Sequence, residues 1–266
     1  MKHYATTLLA SAAAIGLLAS PALAGKSDDT LTWSTDREVA VVDPYYNNTR
    51  ELVIMGHLGW DALLFRNLET GEYEPLLATE WEWVDDKTMD LTLREGVVFH
   101  DGTTFGPEDV AYTVNHVAGE DSGVLTTNNV AWLDSAEVTG DNTVRLHLDE
   151  PFPAALAYLA GAIFIVPEGH YDSAPVGADG NPDYTQVTPV GTGPYKWTDT
   201  RPGEYVHWEA NEDYFAGGPK GTPSIGRQAG SVPVRSRAPV RPHRTPPPRR
   251  RPLATHPRHV RHAARV

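Results

Sequence analysis

The chain has 266 residues, with 22 Lys and Arg against 35 Asp and Glu for a formal charge of −13, and it has no cysteine. Without cysteine there are no disulfide frameworks, thiolate metal centres or cysteine nucleophiles. The charge is split: residues 227–266 hold eleven Arg and no Asp, Glu or Lys, leaving −24 on the other 226 residues, and such an acidic body lacks the clustered Lys and Arg that nucleic-acid binding needs.

In chain order, Lys2 and His3 precede an apolar run over residues 8–19 that closes on Ala22-Leu23-Ala24 before Gly25. This pattern predicts a secretory signal peptide over residues 1–24, cleaved after Ala24. The apolar run is shorter than the ~20 residues a membrane span requires. A chain exported without a span or a lipid-accepting cysteine is expected in a periplasm.

Residues 31–35 read as a short strand, followed by a turn-rich loop centred on Asp43-Pro44-Tyr45-Tyr46-Asn47. Asn48 with Glu51 three residues on suggests a helix start, and Leu52, Met55, Leu58 and Ala62 recur at helical spacing. Across residues 65–93 the period becomes two, with turn signals at residues 69–72 and 85–87, so hairpins are expected there. Pro107 suits a first helical position, Glu108 and Asp109 suit the helix dipole, and Val110, Val114 and Val117 form an inner stripe.

Val138 and residues 144–148 flank Gly140-Asp141-Asn142, another hairpin signal. Residues 153–160 read as a short apolar helix leading into a strand over 163–166, then a long loop over 167–189. Strand-like patterning resumes over 190–197 and 204–209. Interleaving without regular alternation predicts a mixed α/β fold.

Residues 77–114, LATEWEWVDDKTMDLTLREGVVFHDGTTFGPEDVAYTV, bring a tryptophan-bearing strand, an Asp-led turn, Leu93-Arg94-Glu95-Gly96-Val97, the Phe99-His100-Asp101-Gly102 turn and a Glu-Asp-Val helix start. Residues 190–196, VGTGPYK, are followed by Arg201-Pro202-Gly203-Glu204 and by Asn211-Glu212-Asp213-Tyr214-Phe215. With Asp43-Pro44, these markers resemble the peptide/nickel/opine class (family 5) of extracellular solute-binding proteins, components of ABC importers, from about residue 31 to 225. Relatives commonly carry a capping Thr where this chain has Gly106, itself an acceptable cap.

The resemblance implies a type II periplasmic binding fold in which two lobes close over a solute and dock on inner-membrane ABC permease subunits. In that scheme residues 25–48 and 168–226 are part of lobe I and residues 49–167 an accessory α/β subdomain. The second lobe is expected to be missing, and the chain to be a monomer that binds its peptide or other small solute weakly or not at all. The resemblance also offers Tyr45, Tyr46, Asn47, Gly191, Thr192 and Gly193 as cleft-lining residues, against an alternative of simple turn formation. Gly191-Thr192-Gly193 lacks the Lys-Ser/Thr of a phosphate loop, and Pro194 removes a donor.

No catalytic constellation, cofactor motif or metal set is visible: His100 has no second ligand at helical spacing and reads as structural. Residues 227–266 lack Phe, Tyr and Trp, so they are expected to be disordered, and the abrupt change suggests a reading-frame shift near Arg227. The rival reading is an exported, basic-tailed interaction protein with no transport role.

Overall fold

The computed structural model describes residues 39–202, 204–217 and 230–231. The signal peptide, the strand expected at 31–35 and all of the Arg-rich segment except Gly230 and Ser231 lie outside the described residues.

Helix α1 spans Arg50–Gly59 and buries Leu52, Met55, Gly56 and Gly59 on one face, which is the amphipathic pattern of a surface helix. Its N-cap is Thr49 rather than the expected Asn48. Asn47 accounts for the shift, because its side-chain oxygen accepts from the Thr49 amide at 2.8 Å and closes a turn one residue further on. Ala62 lies beyond the helix and pairs with Phe164 in an isolated bridge.

Two hairpins follow, as the alternation predicted. Strands β1 (Leu64–Arg66) and β2 (Tyr73–Pro75) pair antiparallel, as do β3 (Ala78–Trp83) and β4 (Thr88–Leu93). Helix α2 starts at Pro107 and runs to Ala118, with Val110, Val114 and Val117 buried. Asp109 ties down its start: one carboxylate oxygen accepts from the Gly106 amide and the other from the Glu168 amide, both at 2.7 Å.

A short helix α3 (Thr127–Val130) leads into β5 (Leu133–Gly140) and β6 (Thr143–Leu148), and the four long strands form one sheet in the order β3-β4-β6-β5. Its centre is β4 against β6, where Met89 faces Leu146 and Leu91 faces Val144, all essentially fully buried. Each of these side chains contributes about 1.5–3 kcal/mol of hydrophobic burial. On the other face Asp90 and Arg145 form a two-pronged ion pair at 2.7 and 2.8 Å. The outer edge of β5 is covered by α2, whose Asn115 side chain exchanges two hydrogen bonds with the Ala136 backbone, at 2.9 and 2.8 Å.

Helix α4 (Ala155–Leu159) precedes residues 163–166, which are all buried. The strand expected there is not a ladder strand: its backbone is held by the Phe164 bridge, by the Ile165 amide donating to the Asp61 backbone carbonyl at 3.1 Å, and by side chains such as Thr113, whose hydroxyl bonds Val166. Residues 167–189 are mostly irregular, with 3-10 turns at His170–Ser173 and Tyr184–Gln186.

Strands β7 (Tyr195–Arg201) and β8 (Tyr205–Ala210) pair antiparallel, and β9 (Gly230–Ser231) adds to β8. The two residues of β9 belong to the segment expected to be disordered and are paired instead. The strand expected from residue 190 starts five residues later, because residues 190–194 make a crossing instead of a ladder. The fold is mixed α/β as expected, although every ladder among the described residues is antiparallel.

Candidate functional site

Of the two loops singled out from sequence, the one at residues 190–193 meets the segment that leaves α1, and the one at residues 43–47 reaches it through Phe164. In the first, Asp43 makes an Asx turn: one carboxylate oxygen accepts from the amides of Tyr45 and Tyr46 at 2.7 and 2.8 Å. Its other oxygen accepts from the Tyr171 hydroxyl at 3.0 Å. Burial pushes the Asp43 carboxyl up to about 6, against the lowering effect of those three donors.

Tyr45 is fully buried and donates its hydroxyl to the Phe164 carbonyl at 2.7 Å. Tyr46 donates to the Ser122 carbonyl at 2.7 Å, so the bond of the same length to His116 must run from Nε2–H of the imidazole to the tyrosine oxygen. Burial lowers the His116 pKa, which favours the neutral imidazole. Tyr46 also stacks on Tyr184, with centroids 4.6 Å apart. Asn47 is buried, and its amide bonds the Val41 carbonyl and the Thr49 amide. All three side chains thus turn inward and satisfy one another's neighbourhood.

In the second loop a backbone crosses backbone at close quarters. A Cβ on Gly191 would lie 2.1 Å from the Gly59 carbonyl oxygen, and one on Gly193 would lie 2.6 Å from the Gly59 carbonyl carbon. Neither glycine has a positive φ, so space and not conformation requires them. The close neighbour is the end of α1. The Gly193 amide donates to the Gly59 carbonyl at 3.1 Å, and the Trp60 indole donates to the Val190 carbonyl at 2.8 Å. Gly59 is itself pressed by Trp208, whose ring would lie 2.6 Å from an added Cβ.

Asp61 locks this crossing. It is 4 % exposed, and its two carboxylate oxygens accept from the hydroxyls of Thr192 and Tyr214, both at 2.8 Å. Burial pushes its carboxyl up to about 6. His100 secures the loop from the other side: its amide donates to the Gly191 carbonyl and its imidazole to the Gly193 carbonyl, each at 2.9 Å. Because a carbonyl can only accept, His100 Nε2 carries the proton. Asn211 adds a donor to Gly193 at 3.1 Å.

The loops are connected through Phe164, which accepts from Tyr45 and pairs with Ala62, next to Asp61. Sequence reasoning reads His100 as structural but does not see its partner, the Gly193 carbonyl. It missed Asp61 altogether, although Asp61 follows Trp60 directly, and it quoted Asn211 and Tyr214 only as family markers. Among the described residues no group of three or more His, Asp or Glu is placed to hold a metal ion. No helix among them is long and apolar enough to cross a membrane.

The profile of the bacterial extracellular solute-binding proteins, family 5 Middle, matches residues 72–227, more than half of the chain. The oligopeptide-binding protein AppA of Bacillus subtilis is 28% identical over 130 residues, 49% of this chain and 24% of the relative. Protein XP55 of Streptomyces lividans is 33% identical over 162 residues, 60% of this chain and 28% of the relative. Among solved structures, NikZ from Campylobacter jejuni in complex with Ni(L-His) superposes with a TM-score of 0.63 at 25% identity, covering 78% of this chain and 39% of that one. The chain therefore spans about a quarter of the length of these sequence relatives and about two fifths of that structure. It belongs to family 5 of the bacterial extracellular solute-binding proteins.

Proposed function

We propose that the chain acts as the solute-capturing component of an ABC importer in the periplasm, taking up peptides or related small solutes and presenting them to membrane permease subunits. The observation that carries this reading is the family match across residues 72–227, which includes both the His100 turn and the Gly191–Gly193 crossing. AppA, matched in sequence, has also been solved with a nonapeptide, and NikZ with a nickel–histidine complex. The relatives matched are solute-binding proteins, so the reading is binding without catalysis.

In this proposal the loops at Tyr45–Asn47 and Gly191–Gly193 shape one wall of the solute site. The side chains of Tyr45, Tyr46, Asn47 and Thr192 are committed to internal bonds, so they act by holding the wall's backbone. One wall gives weak capture, because burial of the solute on both sides is what excludes water and strengthens polar contacts. Isothermal titration of the full chain with di- and oligopeptides, nickel–histidine and opines tests this. Saturable binding at or above about 0.1 mM is expected. Submicromolar binding would contradict the one-wall reading, and no saturable heat from any of these solutes would contradict solute capture itself.

A further inference from the structure

Away from those loops, α3, the residues just before β5, the turn after β6 and α4 border an open cavity of about 320 Å³ lined by Trp132, Asp149, Glu150, Phe152, Tyr158 and their neighbours. Its floor is aromatic. Trp132 and Phe152 stack with centroids 5.1 Å apart, and Tyr158 stands nearly perpendicular to both, at 6.2 and 5.2 Å. The Trp132 indole N–H is spent on the Asn129 carbonyl at 2.8 Å and its ring is buried against Phe152, so the accessible ring surface comes from the half-buried Phe152 and Tyr158.

The rim is polar and unspent. The carboxylates of Asp149 and Glu150 and the hydroxyl of Tyr158 make no hydrogen bond or ion pair with any described residue. The chain's own cation in this neighbourhood, the Lys87 ammonium, donates to the backbone carbonyl of Asp149 and not to either carboxylate. The ring surface of Phe152 and Tyr158 and two free carboxylates lining one cavity are complementary to one chemistry. The π faces attract a cation, the carboxylates neutralise it and accept its N–H donors, and the apolar ring edges cover a short alkyl chain.

We propose that this cavity is a binding site for an alkylammonium group, separate from the solute wall at Gly191–Gly193. Lys87 at its edge works against an incoming cation, so replacing it tightens the site. The Asp149→Asn/Glu150→Gln double variant removes charge from two exposed positions and leaves the aromatic floor in place.

The test is a titration of the full chain with n-butylammonium chloride, read from the Trp132 indole N–H resonance in heteronuclear NMR, with 1-butanol as the uncharged counterpart. Butylammonium is expected to shift this resonance saturably, the double variant to bind about fivefold more weakly, Lys87→Gln to bind more tightly, and butanol to give no saturable shift. The proposal is overturned if butanol saturates with the same midpoint, if the double variant binds as the native chain does, or if butylammonium leaves the resonance unmoved.

Discussion

The imidazole of His100 donates to the carbonyl of Gly193 across 93 positions of sequence, at 2.9 Å, while the His100 amide holds the Gly191 carbonyl. This clamp joins the signature turn at residues 99–102 to the glycine crossing. Gly193 keeps a second donor in Asn211, so His100→Ala is expected to cost about 1–2 kcal/mol in urea unfolding, with part of it recovered in His100→Gln. Burial lowers the His100 pKa, so below the ordinary value of 6.5 the folded state binds fewer protons here than the unfolded one. The His100 contribution is present above that value and lost as pH falls, and the glutamine variant should lose less stability on acidification than the native chain.

Gly191 and Gly193 leave no room for a methyl group, since the obstructing atoms are the Gly59 carbonyl and the buried Trp60 indole at Gly191, and the backbone of Leu58, Gly59 and Trp60 at Gly193. Alanine at either position is expected to destabilise by at least about 3 kcal/mol. Gly71, with a φ of 79° and open space around it, provides the contrast. Gly71→Ala should cost only about 1–2 kcal/mol, from backbone conformation alone. Equal thermal shifts in the three variants would show that the crossing is not tight.

Asp61 gives the fold a pH dependence of opposite sign to that of His100. Its carboxyl is raised from 3.8 to about 6 by burial, so between these values the folded state binds more protons than the unfolded one. Its contribution is fully present below the unfolded value and is lost as pH rises through the folded one. Asp61→Asn removes that linkage. The variant also costs about 1–3 kcal/mol at every pH, because the amide cannot accept from both the Thr192 and Tyr214 hydroxyls. Measured by urea unfolding, its deficit against the native chain should shrink between pH 4 and pH 7. A constant deficit would mean that Asp61 does not titrate in the fold.

At the sheet, the edge clasp should outweigh the ion pair. Asn115→Ala frees both backbone groups of Ala136 and is expected to cost about 1–3 kcal/mol. Asp90 and Arg145 are each more than a third solvent-exposed, at 39% and 35% of their side chains, so Asp90→Asn should cost less than about 1 kcal/mol and less still in high salt.

The hairpins and α2 were legible in the sequence because their information is local. Met89, Leu91 and Leu93 alternate with polar residues, and Pro107 with Asp109 marks a helix start whatever surrounds it. The crossing at residues 190–194 was not legible as such, since its reason lies in Gly59, about 130 positions away. VGTGPYK reads locally as the start of a strand, yet Val190, Gly191 and Gly193 place their carbonyls on Trp60 and His100 instead of on a neighbouring strand. The partners of Tyr45 and Tyr46 were hidden for the same reason. The family resemblance offers them as cleft-lining residues, and only the long-range partners Phe164, His116 and Ser122 show that their hydroxyls are spent inside the fold.

The location of the solute wall is tested most directly by hydrogen exchange with mass spectrometry, comparing the full chain alone and with a saturating short peptide. The account predicts slowed exchange concentrated in fragments covering residues 41–47 and 189–195. Protection confined to other segments, with these two unchanged while the peptide is bound, would contradict it.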